Sequence, residues 1–533
     1  MKRTMMKVCS FIVLMLLVIS CKNNSPVEQK RPNVLFISID DLNDWTGSLG
    51  GNKQVITPNL DKLADQGIQF TNAHASMAVC VASRNSVLSG LHPTTTGWYA
   101  LVEDHDAMVA SYDEVMGDKQ MLPALFKSNG YSTYSAGKIF HKGATDYSFL
   151  MDALWDDVLP DYKEKLRPID YERGDGYGGY KFYPFPKEGS QLKSFYGDKL
   201  KDNHSLCGGP LDEEDMPEGK MYDEFIADYA IDRLKEDHTK PFFLSVGFVR
   251  PHVPYTAPRK YFDMYDKNAV KIPEVPIDEM NDIPLIGKAI AYNYGVSNMG
   301  DYQAVKGMGD DYWRHLVHSY LACVSFVDDQ VGRVLKALEN SKYADNTIIV
   351  LWSDHGQSFG EKMNFRKMSL WEESTKVPLY ILTPDSKTSG KECSRPVSLL
   401  DIYPTLVDLC NLPEQKHLEG KSLKKLIKNP ETDWPYPVVS SWRYKNHAIR
   451  SQDYRYIQYR DGSEELYDHR TDPGEHINLA SNAAYKSIIE DHKQWIPQNA
   501  ALPVGKVKWD GDEIDRRIDE WKRNDSMPSW LGF

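Results

Sequence analysis

The chain has 533 residues, 41% of them hydrophobic and 11% aromatic, and a formal net charge of -13. Apolar content on that scale builds a large core, which excludes a wholly disordered chain or a disulfide-stapled miniprotein. The acidic balance argues against a nucleic-acid binder, whose phosphate contacts need a basic face, but allows a small, locally basic anion site.

Lys2, Arg3 and Lys7 precede the apolar run Val8 to Ile19, and Ser20-Cys21 follows. A basic head, a short apolar stretch and a small residue before the cut predict a secretory signal, too short to span a bilayer. Cys21 directly after Ser20 resembles a bacterial lipobox. This implies a lipoprotein signal over residues 1–20, lipidation (palmitate) of Cys21, and a polar tether over residues 21–31. Removal of residues 1–20 takes three basic residues and no acid, which moves the net charge from -13 to -16. The expected location is the periplasm or the outer-membrane surface, with the lipid anchor in the outer membrane.

Buried parallel strands are predicted over Val34 to Ile39, Tyr131 to Ala136, Phe242 to Phe248 and Thr347 to Trp352. Helices are expected between them. Thr57-Pro58 starts one, with Thr57 as N-cap and Gly67 as its end, and a longer one runs from about Trp313 to Leu338. This alternation predicts an α/β doubly wound sheet in a catalytic domain over residues 32–430, with long insertions around 143–220. From residue 431 short strands take over. Asp461-Gly462 marks a hairpin between Tyr454–Tyr459 and Glu465–Tyr467, so a smaller antiparallel α+β subdomain is expected over 431–533. Seven cysteines stand at 9, 21, 80, 207, 323, 393 and 410, without a C-x-x-C pair, so a zinc ribbon is unsupported.

Polar groups follow each predicted strand: Asp40-Asp41, Gly137-Lys138 with His141, Arg250-Pro251-His252, and Asp354-His355-Gly356. Open α/β sheets bind ligands at the carboxyl ends of their strands, so these groups should converge. Asp40, Asp41 and Asp354 together need a cation. Oxygen ligands suit Ca²⁺ better than Mg²⁺ where the geometry is irregular, with His355 as a further ligand or a hydrogen-bonding neighbour.

Cys80-Val81-Ala82-Ser83-Arg84, followed by Ser89-Gly90, resembles the signature of the type I sulfatases. Further matching segments are Lys138-Ile139-Phe140-His141, Asp354-His355-Gly356 with Gly360-Glu361 and Lys367, and Glu465-Leu466-Tyr467-Asp468. Within that family the chain is most similar to the iduronate-2-sulfatase branch, with Val246-Gly247-Phe248 before Pro251-His252, and His355 where many sulfatases carry Asn. The resemblance implies an alkaline-phosphatase-like fold and a bacterial polysaccharide sulfatase. It also implies conversion of Cys80 to formylglycine (3-oxoalanine), a metal site of Asp40, Asp41, Cys80, Asp354 and His355, and catalytic roles for Cys80, Arg84, Lys138, His141, His252 and Lys367. Ala82 stands where the oxygen-dependent maturase expects Pro, so a radical-SAM maturating enzyme is the implied partner. Sulfated oligo- or polysaccharides of the ulvan, carrageenan or glycosaminoglycan type are the implied substrates. Two other readings stay open at this point: a phosphatase or phosphonate monoester hydrolase of the same superfamily, and a non-catalytic glycan-binding lipoprotein.

Overall fold

A computed structural model describes residues 31–100, 102, 104–141, 148–159, 206–292, 300–384, 390–505 and 511–524. The signal, nearly all of the tether, and most of the 143–220 insertion lie outside the described residues. Eight strands form the main sheet, in the order Lys391–Cys393, Ile68–Phe70, Leu379–Leu382, Thr347–Ser353, Asn33–Ile39, Phe242–Phe248, Ser132–Gly137 and Asp157–Val158. From Thr347–Ser353 to the Asp157–Val158 edge every pairing is parallel. Leu379–Leu382 runs antiparallel to both its neighbours, which makes the sheet mixed.

The central strand is buried at every position because both faces carry helices. Alternation along it sends Leu35, Ile37 and Ile39 to one core and Val34 and Phe36 to the other. The first face packs on the 30-residue helix Asp310–Glu339 and on Tyr222–Lys235. The second packs on Cys80–Ser89, Leu122–Ser128 and Ile402–Leu409. Among the described residues no helix is long and apolar enough to cross a membrane.

Helix Pro58–Gln66 forms as expected, but Thr57 does not cap it with its side chain. The Thr57 hydroxyl accepts from Gly47 N at 2.8 Å and donates to Asp61. The free amides of Asn59 and Leu60 are instead satisfied by Asp328 Oδ1, at 3.1 and 2.8 Å, from the long helix. A carboxylate on a neighbouring element is the stronger acceptor, and packing brings it there.

The C-terminal sheet is antiparallel throughout: Val438–Ser441, His447–Arg450, Tyr454–Gln458 and Glu464–Asp468 in sequential order. The expected hairpin is present, with Gly462 at φ 85° where a side chain would be strained. One face buries Ile449, Tyr456 and Leu466 with Ile489 of helix Lys486–Lys493. The other packs Ala448, Ile457 and Tyr467 near Trp371 of the catalytic body. Ser440 Oγ donates to Ala75 O at 2.6 Å and Ser441 N donates to Ser76 O at 2.8 Å, so this sheet abuts the segment that leads to Cys80.

Candidate active site

The four predicted polar clusters converge at the carboxyl ends of the parallel strands. Cys80 is the first residue of helix Cys80–Ser89, whose ten residues are all buried. Its N-terminal amides place partial positive charge beside the sulfur. Asp41 sits at φ 62°, an uncommon conformation for a non-glycine residue. Asp41 N donates to Asp354 Oδ1 at 3.1 Å, and Tyr320 OH donates to Asp41 O at 2.8 Å. Lys138 follows its strand directly, and its amide donates to Gly247 O at 2.8 Å. A Cβ on Gly247 would stand 2.2 Å from Lys138 O, so only glycine allows this approach.

Around the sulfur the charges alternate. Lys367 Nζ lies 3.1 Å from Cys80 Sγ and donates to Asp41 Oδ1, while Lys138 Nζ donates to Asp40 Oδ2. His355 Nε2 is 3.2 Å from Cys80 Sγ and 3.3 Å from Asp41 Oδ1, with its Nδ1–H donated to Gly356 O at 2.9 Å. His141 stands beside Cys80 and favours its thiolate. His252 donates from Nδ1 to Val253 O at 2.6 Å, which fixes the orientation of its ring. Burial pushes the Cys80 thiol up, but Lys138, Lys367, His355 and His141 together outweigh it and bring it well below the ordinary range. Burial likewise works against charging Lys138 and Lys367, yet Asp40 and Asp41 hold both above the usual value. Both therefore stay cationic.

Arg84 is fully buried beneath this layer. Nε donates to Asp354 Oδ2 at 2.8 Å, Nη2 to Asp40 Oδ1 at 3.3 Å, and Nη1 to Ser38 Oγ at 3.2 Å and to Lys138 O. Its guanidinium thus clamps the carboxylates from behind.

The donor set fits a hard divalent cation. Atoms of Asp40, Cys80, Asp354 and His355 lie within 4.8 Å of one another, and so do those of Asp40, Asp41, Cys80 and His252. Asp41 Oδ2 is buried with no hydrogen-bond partner. Burial lifts Asp354 to about 7 against the pull of Arg84. Burial disfavours a charged His355, but Asp354, Cys80 and Asp41 raise it to about 9. The His355 shift reports negative charge around the site that a cation would relieve.

Two residues gain roles that the sequence did not reveal. Arg250, fully buried, donates to His252 O at 2.7 Å and to Thr256 O at 2.7 Å, and so shapes the loop that carries His252. Asp223 accepts from Val249 N at 2.5 Å and supports the same turn. Arg250 was visible beside Pro251-His252, whereas Asp223 gives no local signal. Lys362 lies apart from the sulfur, 3.0 Å from Glu279 Oε1. The cysteines at 80, 207, 323, 393 and 410 are all buried, and none of them forms a disulfide.

A mixed doubly wound sheet with this cationic, carboxylate-backed cleft at its strand ends defines an alkaline-phosphatase-like hydrolase of tetrahedral oxyanion esters. Residues 32–412 match the family model described as Sulfatase, and residues 360–501 match that of the N-sulphoglucosamine sulphohydrolase C-terminal region. A sulfatase of Formosa agariphila is 37% identical, covering 95% of this chain and 94% of its own length. Mouse iduronate 2-sulfatase is 30% identical, over 80% of this chain and 84% of its own. The solved phosphonate monoester hydrolase of Silicibacter pomeroyi superposes with a TM-score of 0.67 at 20% identity, covering 94% of this chain and 97% of that one, a likeness of fold. The chain belongs to the sulfatase family, and it is a sulfuric ester hydrolase.

Proposed function

We propose that the chain removes sulfate from sulfated, uronic-acid-containing oligo- or polysaccharides, with Cys80 converted to formylglycine and Ca²⁺ held by Asp40, Asp41, Asp354 and His355. The observation that carries the reading is Cys80 at a helix N-terminus, 3.1 Å from Lys367 Nζ and 3.2 Å from His355 Nε2. The sulfur marks where the oxygens of the converted side chain would stand. Bound Ca²⁺ would supply positive charge that lowers the pKa of a nearby hydroxyl and offsets charge on the sulfuryl oxygens.

The remaining steps belong to the chain's own residues. Conversion of Cys80 would supply a hydrated aldehyde, one hydroxyl of which, its proton lost to solvent under the positive charge of Lys138 and Lys367, would bond to sulfur as the bond from sulfur to the sugar oxygen breaks. Lys138 and Lys367 offset the charge on the sulfuryl group in that transition. His252 Nε2 delivers a proton to the departing sugar oxygen. His141 then takes the proton of the second hydroxyl, the bond from carbon to the sulfated oxygen breaks, sulfate leaves and the aldehyde is restored. Arg84 acts through Asp40 and Asp354, which it fixes from behind.

Support for a uronic-acid substrate is the likeness to mouse iduronate 2-sulfatase. Support for export as an outer-membrane lipoprotein is the Ser20-Cys21 signal, and support for a radical-SAM maturase is Ala82. The test is sulfate release, read by ion chromatography, from ulvan, carrageenan and glycosaminoglycan oligosaccharides by protein co-expressed with such a maturase. Release from ulvan or a glycosaminoglycan, both of which contain uronic acids, with little from carrageenan, which has none, and little turnover of phosphonate monoesters, is the expected result. Faster cleavage of phosphonate esters would overturn it.

A further inference from the structure

Besides the catalytic cleft, a groove of about 340 Å³ opens beside the C-terminal sheet, lined by Trp434, Tyr436, Trp495, Lys421, Glu419 and Asp401 among others. We propose that it is a second, non-catalytic binding site for a sulfated glycan chain. The inference rests on the proposed glycan substrate and adds a separate place on the enzyme where the polymer is held.

The aromatic faces are the first observation. Tyr436 is 38% exposed and Trp495 43% exposed, among the few large apolar side chains so open to water. Trp434 meets Tyr436 edge to face at 5.1 Å, and its Nε1 is tied to Pro396 O at 2.9 Å, which fixes the ring in place. Trp495 makes no side-chain hydrogen bond or ring contact among the described residues. Rigid aromatic faces in water suit the apolar face of a sugar ring, since they lose little entropy on stacking.

The sign of the groove is the second observation. Its two acids are already used internally. Glu419 accepts from His92 N at 2.6 Å and Thr95 Oγ1 at 2.5 Å, and Asp401 accepts from Ser398 N at 2.9 Å and Lys421 N at 2.6 Å. The Lys421 ammonium lies 5.7 Å from the Tyr436 ring. It belongs to a run of five lysines, at 416, 421, 424, 425 and 428, with Glu419 inside the run and Glu414, Glu431 and Asp433 flanking it. None of the five forms an ion pair among the described residues. The Lys421 ammonium, beside exposed aromatic faces and without an ion pair among the described residues, suits an anionic saccharide better than a neutral one.

The groove is set back from the chemistry. Cys80 starts the ten-residue helix Cys80–Ser89, and His92, beyond its far end, lines the groove. At 1.5 Å per residue the separation along that helix is about 15 Å. A polymer can occupy both places, whereas a small sulfate ester fills the cleft alone. Tethering a polymer at a second point raises its effective concentration at the cleft.

The test uses the full chain and the double variant Trp495→Ala with Tyr436→Ala, both exposed positions whose loss leaves the core intact. The chain carrying Cys80→Ala is titrated with heparin, ulvan and iota-carrageenan oligosaccharides and with their desulfated forms, with tryptophan fluorescence as the signal. At least one sulfated oligosaccharide is expected to bind, and its affinity to fall about tenfold or more in the double variant. Lys421→Glu should weaken the same binding and reduce its salt dependence. In the converted enzyme the double variant should raise KM for the polymer and leave kcat and the turnover of p-nitrophenyl sulfate unchanged. Absence of binding, equal binding by the double variant, or equal binding of the desulfated form overturns the proposal. So does binding to phosphatidylglycerol vesicles alone that is lost in the same variants, which would make the face a membrane contact. If the converted protein releases no sulfate while the groove binds as described, the proposed activity fails and the second site stands.

Discussion

Glu372→Gln tests whether the catalytic body and the C-terminal sheet share one buried charge network. Glu372 opens the short helix Glu372–Thr375, and its Oε2 accepts Arg450 Nε at 3.1 Å and Arg455 Nη2. Arg455 Nε also reaches Glu475 Oε1 at 2.6 Å, and His469 Nε2 lies 2.9 Å from that oxygen. Glutamine keeps the volume and removes the charge. Removing one partner of a buried pair costs about 3–5 kcal/mol because the other charge stays buried. Glu475 still balances Arg455, so the lower end, about 3 kcal/mol, is expected from urea unfolding near neutral pH. The pH dependence carries a second signature. Burial pushes Glu372 up, but Arg450, His74, Arg455 and His469 outweigh it and hold the carboxyl well below its usual 4.5. A depressed folded-state pKa gives stability that is full above the unfolded value and lost as pH falls through the folded one. The advantage of Glu372 over the glutamine variant should therefore be constant near neutrality and shrink below a pH of 4.5. A cost under about 1 kcal/mol, or an advantage that grows on acidification, would refute the reasoning.

Asp328→Ala should leave the amides of Asn59 and Leu60 unsatisfied and cost about 1–2 kcal/mol of stability, with amide exchange faster in helix Pro58–Gln66. Arg84→Lys replaces a fork that holds Asp354 and Asp40 with a single ammonium. Each charge-assisted hydrogen bond lost is worth about 1.5–3 kcal/mol, so weaker Ca²⁺ binding should appear by calorimetry. His252→Asn should slow desulfation of sugars by about 10²–10⁴-fold and spare p-nitrophenyl sulfate, whose leaving group needs no proton. Equal losses on both substrates would remove His252 from the acid role. Chelation with EGTA should abolish turnover and added Ca²⁺ restore it, read as sulfate released.

Four of the eight strands of the main sheet were legible to within about one residue at their ends, whereas the short strands Ile68–Phe70, Leu379–Leu382, Lys391–Cys393 and Asp157–Val158 were not read. Val34, Phe36, Leu35 and Ile37 are buried on both faces, and an unbroken apolar run reports that directly. The convergence of Asp40, Lys138, His252 and Asp354 followed from strand ends in a parallel sheet, and the structure brings them together with Cys80. What the sequence hid depends on long-range packing. Thr57 has the composition of a cap, yet Asp328, 269 residues from Asn59, does the capping. Glu372 and Arg455 lie 83 residues apart and meet only because two sheets pack together. Arg84 sits in the signature motif, but only the coordinates show its guanidinium turned toward Asp354 and Asp40. Only the fold sets Lys421 over Tyr436, in one groove with Trp495.

The most direct measurement is mass spectrometry of the peptide containing Cys80, from protein co-expressed with a radical-SAM maturase, read beside sulfate release by the same sample. An aldehyde in place of the thiol, in a fraction that scales with activity, is the predicted result. An intact thiol in protein that still releases sulfate, or a fully converted residue in protein that releases none from any sulfated glycan, would contradict it.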